Sequence, residues 1–220
     1  MRERRTPVCA LVSGGLDSAI MLQWLVVSGW DIVPLYCQFG LRWETAELFW
    51  LKRLLRTFIS PSLHALHVVE LPLQSLYGAH WSLSGRRVPA AKSPDRAVYL
   101  PGRNVFLLTA ASITCAKRRF STIALGILRS NPFGDASPSF LTRFANCLSQ
   151  AVDRPIRILT PLRGRTKSQW LRWAAPEPLR VTFSCLQPRG RHHCGRCNKC
   201  AERQRAFRAA RLVDPTVYAT

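Results

Sequence analysis

Ser13, Gly14, Gly15, Leu16, Asp17 and Ser18 form a hexapeptide that follows an apolar, β-branched run at 8–12 and precedes a segment of helical spacing. That order suits phosphate binding. Glycines let backbone N–H groups approach an anion closely, and a helix start directs unpaired N–H groups and a positive dipole end at it. Ser13 and Ser18 add hydroxyl donors, while the Asp17 carboxylate is tolerable beside a phosphate where Mg²⁺ bridges the two. Near the other end, Cys185, Cys194, Cys197 and Cys200 are separated by eight, two and two residues. Four thiolates fill the tetrahedral shell of Zn²⁺ at about 2.3 Å and leave no open position, so this metal site is expected to be structural. His192 and His193 adjoin Cys194, but sequence neighbours do not easily both point inward, which leaves the four cysteines as the expected ligands. The remaining thiols, Cys9, Cys37, Cys115 and Cys147, are singletons in apolar segments and are expected to be buried and inert.

The elements that must position these groups alternate. Residues 8–12, 31–37, 67–71, 121–127 and 156–159 read as strands. Residues 17–28, 43–58, 103–116, 137–150, 167–175 and 198–212 read as helices, with Gly29 closing the first and Pro138 in the first turn of the fourth. Strands alternating with helices predict an α/β fold, a parallel sheet with helices on both faces. Residues 73–99, punctuated by Gly78, Gly85, Pro89 and Pro94, read as an irregular excursion of functional length. Pro176 and Pro178 are expected to stop the fifth helix, placing a boundary between a main domain, 1–176, and a small C-terminal zinc-binding helical lobe, 177–220.

With 220 residues, 47% hydrophobic and 20% charged, the chain is long enough to bury a sizeable core. Lys and Arg number 32 against 12 Asp and Glu, and the net charge of +20 favours phosphates, nucleic acid or acidic small molecules as partners. The excess is densest at 180–211, so nucleic-acid contact by the C-terminal lobe is one reading and a generally arginine-rich composition is the other. The start Met1-Arg2-Glu3-Arg4-Arg5 followed by apolar residues imitates a secretory signal, but the apolar run is too short for export. No stretch approaches the roughly 18 uncharged apolar residues of a membrane helix. A cytoplasmic location is therefore expected.

The hexapeptide resembles the pyrophosphate loop of the N-type ATP pyrophosphatases, and it lacks the Gly-Lys-Ser/Thr end of a Walker loop. Taken with Pro101-Gly102-Arg103-Asn104, Thr160-Pro161-Leu162, Lys167 and the four-cysteine spacing in that order, the chain resembles the 7-cyano-7-deazaguanine synthases, the QueC family, along essentially its whole length. The resemblance implies a Rossmann-like (HUP-type) doubly wound sheet and a homodimer. It implies use of ATP to convert 7-carboxy-7-deazaguanine and ammonia into an amide and then a nitrile, in the pathway to queuosine. It assigns phosphate binding to Ser13, Gly14, Gly15, Leu16, Asp17 and Ser18, with Asn104 beside the nucleotide and zinc binding at the four cysteines. Asp17, Arg103 and Lys167 become the catalytic candidates: Arg103 to pair with a carboxylate or α-phosphate, Lys167 to neutralise departing pyrophosphate. A turn made by Pro101-Gly102 with Asn104 capping the helix is the plainer reading of that segment.

Two segments depart from the family pattern. Where the family has a Tyr-Gly-Gln-Arg-His-like run, this chain has Phe39-Gly40-Leu41-Arg42-Trp43, leaving Phe39 and Arg42 as candidate substrate contacts. Where well-known members resemble Glu-Thr-Asp-x-Ser-Gly-Tyr-Pro-Asp, residues 126–137 differ, and Asn131, Phe133 and Asp135 are the groups able to stack on and hydrogen-bond a flat heterocycle. The divergent pocket keeps two further readings open: an activated deazapurine or other acid joined to a different amine, on a protein or in a defence system, and a pyrophosphatase that modifies tRNA directly. A zinc-stabilised binding module without turnover is the third.

Overall fold

A computed structural model describes residues 6–219; the basic start at Met1–Arg5 and Thr220 lie outside the described residues. Strands β1 (Pro7–Leu11), β2 (Asp31–Gln38), β3 (His67–Glu70), β4 (Thr122–Leu125) and β5 (Arg157–Leu159) form a five-stranded sheet in the order β3-β2-β1-β4-β5. Every pairing is parallel, with Cys9 opposite both Val33 and Ile123. Residues alternate between faces along each strand, so the β-branched runs must be apolar on both sides. Cys9, Leu11, Leu35, Cys37 and Ile123 enter one core, and Val8, Ala10, Ile32, Tyr36 and Ala124 enter the other.

Helices cover both faces, as the alternating pattern requires. α5 (Arg103–Arg118) and α6 (Pro138–Ala151) pack Leu108, Cys115, Leu141 and Leu148 into the first core. α1 (Leu16–Val27), α7 (Lys167–Trp173) and α9 (Asn198–Ala210) pack Ile20, Leu22, Trp170, Leu171 and Phe207 into the second. α2 (Glu44–Arg56) contributes Ala46 to one and Leu51 and Leu54 to the other. No helix among the described residues is long and apolar enough to cross a membrane.

Three local expectations change. α7 ends at Trp173, and Pro176 does not terminate it but opens a further short helix, α8 (Pro176–Arg180), because proline's missing N–H costs nothing at a first helical position. The excursion at 73–99 contains two single turns, α3 (Gln74–Tyr77) and α4 (Trp81–Ser84), and a 3₁₀ turn at Asp95–Val98. It then straps itself to the cysteine segment: Ala91 N donates to Arg196 O at 3.0 Å and Asn198 N to Pro89 O at 2.9 Å. The fully buried Asn198 also donates through Nδ2 to Ser93 O at 2.8 Å. Finally, Cys9, Cys37 and Cys115 are buried but Cys147 is exposed. On α6 the inward positions are Leu141, Ala145 and Leu148, spaced by four and three, which turns Cys147 outward.

Candidate functional site

A cavity of about 290 Å³ opens where Leu11 and Val12 of the β1 end, Tyr36 and Cys37 of β2, and Leu125 and Gly126 of the β4 end converge. In an open parallel sheet this is the place for a ligand: carboxyl ends of strands, at the point where the connections change direction. The hexapeptide forms one wall. Ser18 Oγ accepts from Ser13 N at 3.0 Å and lies 3.2 Å from Ser13 Oγ, closing the loop on itself. Gly14 sits at φ +75°, its carbonyl accepts from Phe183 N at 2.8 Å, and a Cβ there would lie 3.2 Å from Leu51 Cβ. Its role in the loop is close packing, while Ser13, Gly15, Leu16, Asp17 and Ser18 line the cavity. Gly126 presses from the facing strand end, where a Cβ would come 3.1 Å from Asp17 O.

Beside the loop stands a row of alternating charge. Lys167 Nζ lies 2.6 Å from Glu202 Oε1 and 3.4 Å from Asp17, and Lys199 Nζ lies 2.6 Å from Glu202 Oε2. Burial pulls Lys167 down, but Asp17 and Glu202 more than offset it and hold the ammonium above its ordinary pKa. Burial likewise raises Glu202, and the two lysines outweigh it, keeping the carboxylate ionised well below the usual range. The Asp17 contact is long for a charged hydrogen bond, and Asp17 Oδ1, shielded from solvent, accepts none. Nothing in the local sequence marks Glu202 and Lys199, two charged residues on an arginine-rich helix with only one cysteine, as part of this row.

The opposite wall gathers Arg103, Asn104, Asn131, Phe133 and Asp135. Arg103 is the first residue of α5, after Gly102 in a left-handed conformation, and its buried Nε has no hydrogen-bond partner. Asn104 does not cap its own helix. Instead Asp135 Oδ2 accepts from Asn104 N at 3.1 Å, and Asn104 Nδ2 donates to Asp135 O at 3.3 Å. The second oxygen, Asp135 Oδ1, is buried without a partner. The Phe133 ring stacks on Tyr99, with centroids 5.0 Å apart and planes inclined by 29°. A flat aromatic surface beside an unsatisfied carboxylate oxygen is suited to a planar heterocycle that carries N–H donors on its edge.

Phe39 and Arg42 are not among the lining residues. Phe39 is 1% exposed and packs edge-on against Phe106 at 6.4 Å, and Arg42 is exposed. The cause is Glu44, whose carboxylate accepts from Phe39 N at 2.7 Å and Gly40 N at 2.8 Å and folds the segment away from the cavity. In their stead the cavity has Tyr36 and Glu47, joined by a 2.8 Å hydrogen bond from Tyr36 Oη to Glu47 Oε2. Burial pushes the Glu47 carboxyl up to about 7, although the Arg103 guanidinium and the Tyr36 hydroxyl offset part of the effect. A signal for Glu47 exists in the sequence: it shares the inward face of α2 with Trp43, Leu51 and Leu54, at helical spacing, where a carboxylate is out of place.

The four cysteines converge as their spacing predicts. All four sulfurs lie within 4.8 Å of one another, with Cys185 to Cys197 and Cys194 to Cys200 each at 4.0 Å. Bonds of ~2.3 Å in a tetrahedron place sulfurs about 3.8 Å apart, so the cluster fits a zinc ion. Backbone N–H groups of Leu186, Gln187, Cys194 and Cys200 point at Cys197 or Cys185 sulfur at 3.2 to 3.5 Å, the second layer expected around metal-bound thiolates. His193 is not part of the cluster: its Nε2 accepts from Ser184 N at 3.1 Å, and burial, helped by Arg203, draws its pKa down to about 3. Cys185 also lines the cavity, so the four-cysteine cluster borders it together with the Ser13–Ser18 loop.

Comparison with known proteins agrees with this geometry. A 7-cyano-7-deazaguanine synthase of Methanoculleus marisnigri is 31% identical over 224 residues, covering 96% of this chain and 97% of that one. The 7-cyano-7-deazaguanine synthase 1 of Desulfitobacterium hafniense is 28% identical over 206 residues, covering 92% of each chain. A solved 4-thiouridine synthetase aligns with 94% of this chain and 50% of its own at 15% identity, and its TM-score of 0.47 is too low to bear on function. The family model described as "Queuosine biosynthesis protein QueC" matches residues 7–211, from the first strand to the end of α9. The chain belongs to the QueC family of queuosine biosynthesis proteins.

Proposed function

We propose that this protein adenylates 7-carboxy-7-deazaguanine with ATP and joins ammonia to the activated acid, giving 7-cyano-7-deazaguanine. The observation that carries the reading is a single cavity lined by the Ser13–Ser18 loop and also by the buried Nε of Arg103 and the buried Oδ1 of Asp135, two atoms that lack hydrogen-bond partners. Orphaned buried polar atoms are costly, so a site that keeps two of them is built to satisfy them with a ligand. Arg103 Nε suits the carboxylate of the acid. Asp135 Oδ1 suits the adjacent N–H donors of a 2-amino-4-oxo pyrimidine edge, over the Tyr99–Phe133 stack.

In this reading the acid's carboxylate oxygen attacks the α-phosphorus of ATP held by the loop, and the bond to the β-phosphate oxygen breaks to release pyrophosphate. Ammonia then attacks the acyl carbon and AMP leaves, giving an amide. Repeating the adenylation on the amide oxygen, with loss of the amide protons and a second AMP, gives the nitrile. Asp17, whose buried Oδ1 makes no hydrogen bond although Lys167 Nζ lies 3.4 Å away, would hold a Mg²⁺, which would offset the charge of the phosphates. Backbone N–H groups at the α1 start and Lys167 receive the charge that grows on departing pyrophosphate. Removal of Asp17 tests the nucleotide half. Asp17→Ala is expected to lower pyrophosphate release by 10²-fold or more with the melting curve unchanged. Folded, zinc-loaded wild type that shows no heat with Mg·ATP would overturn the reading, as would pyrophosphate release without nitrile when ammonia is the amine.

A further inference from the structure

We propose that Lys199, carried by the metal-knot helix, is a second lysine for the β- and γ-phosphates, and that Glu202 is the positioning residue that fixes Lys199 and Lys167 beside the loop. The proposal rests on the ATP reading above and adds residues to it. Both groups line the cavity with Ser13, Gly15 and Asp17. Without Lys199, the cluster of Lys167, Asp17 and Glu202 would carry one net negative charge, which repels a phosphate chain; Lys199 neutralises it. Glu202 offers no free oxygen to a phosphate, because Oε1 is taken by Lys167 and Oε2 by Lys199, each at 2.6 Å.

Lys199 has capacity to spare. An ammonium carries three donors, and among the described residues Glu202 is the only partner of Lys199, so two donors remain on this cavity-lining side chain, which is 33% exposed to solvent. Its base is held as firmly as its tip. Cys197 caps α9 by accepting from Cys200 N, and both are members of the four-cysteine cluster, so Lys199 lies between two anchored positions. A long, flexible cation held at both ends loses less entropy on meeting its anion, which is what a binding residue gains from such a strut. The metal knot thereby supplies a phosphate contact as well as stability.

The test is calorimetry on full-length, zinc-loaded protein with Mg·ATP, Mg·pyrophosphate and AMP. Lys199→Met, which keeps the aliphatic stem, is expected to weaken Mg·ATP and Mg·pyrophosphate about tenfold or more while leaving AMP within about twofold. Lys199→Arg should recover most of the loss. Glu202→Gln leaves the cluster net positive yet releases both lysines, so weakened binding of the same two ligands, with a double variant that loses less than the two single losses multiplied, is the expected sign of positioning, and unchanged or tighter binding would overturn that role for Glu202. Zinc content and melting temperature are read for each, and Lys199→Gln serves as a second charge-removing variant should Lys199→Met lose metal. Unchanged Mg·ATP binding in the charge-removing variants, or equal weakening of AMP, would overturn the proposal while leaving adenylation standing. Wild type without affinity for Mg·ATP would overturn both.

Discussion

The Ser13–Ser18 loop and the four-cysteine cluster, and the lining proposed to hold the acid, are assembled in different ways. Ser13 to Ser18 close on themselves through a hydrogen bond five residues long, and four cysteines within sixteen positions share one point in space. The lining proposed to hold the acid gathers Tyr36, Glu47, Tyr99, Arg103 and the 131–135 segment, joined by contacts such as Asn104 to Asp135 across 31 positions and Tyr99 to Phe133 across the excursion's end. A site closed by local bonds depends on a handful of residue types. A site closed by long-range bonds depends on how helices and strands pack, so its composition follows from no short motif.

Breaking the local side should cost most. Cys197→Ser removes one of the four clustered thiols while leaving a hydroxyl able to cap α9, so its effect reports on the metal site. Loss of zinc from the folded protein is expected, with destabilisation of several kcal/mol and a melting point lower by 10 °C or more, since closed metal sites contribute folding energy. Metal analysis and a thermal melt check it, and chelation of wild type should shift the melt in the same direction.

The long-range side should respond more softly and more selectively. Asp135→Asn exchanges the orphan oxygen and weakens the cap on Asn104 N; KM for the acid should rise about 10- to 100-fold while affinity for Mg·ATP stays within about twofold. The cap itself should cost about 1 kcal/mol in stability. Parallel loss of both ligands would show the two walls to be one cooperative unit and would dissolve the contrast.

A pH-dependent effect concerns Glu47, which lines the same cavity. Its carboxyl is at about 7 in the folded protein against 4.5 for an ordinary glutamate, so between those values the folded chain keeps a proton that the unfolded chain has lost. Stability is therefore greatest below pH 4.5 for this group and falls as pH rises toward 7, by at most about 3 kcal/mol. Glu47→Gln should flatten the fall in melting temperature between pH 5 and 7.5. An equal slope in both proteins would place the titration elsewhere.

Much of the molecule could be read before any coordinates. The strand-helix alternation requires a parallel sheet, and the β1 sequence, apolar at every position from Val8 to Val12, requires that sheet to be covered on both faces. Lys167 and Arg103 could be placed at helix starts near the site. What could not be read is who meets whom. Phe39 has the right side chain for a base-stacking role, yet Glu44 holds its backbone and the ring goes to the core. Asn104 has the right chemistry for a helix cap, yet Asp135 takes that position from another segment. Glu202 and Lys199 reach the phosphate wall only because α9 packs beside α7.

The amino-acid order by itself determined the loop after β1, the four-cysteine cluster and the layered α/β plan, because each follows from spacing, backbone conformation or periodicity within a short span. Tertiary structure alone decided which carboxylate oxygens stay without a hydrogen bond, which aromatic pair lines the cavity and which lysine shares Glu202 with Lys167. Those outcomes turn on burial and on distances between residues far apart in the chain, and burial is a property of the packed whole.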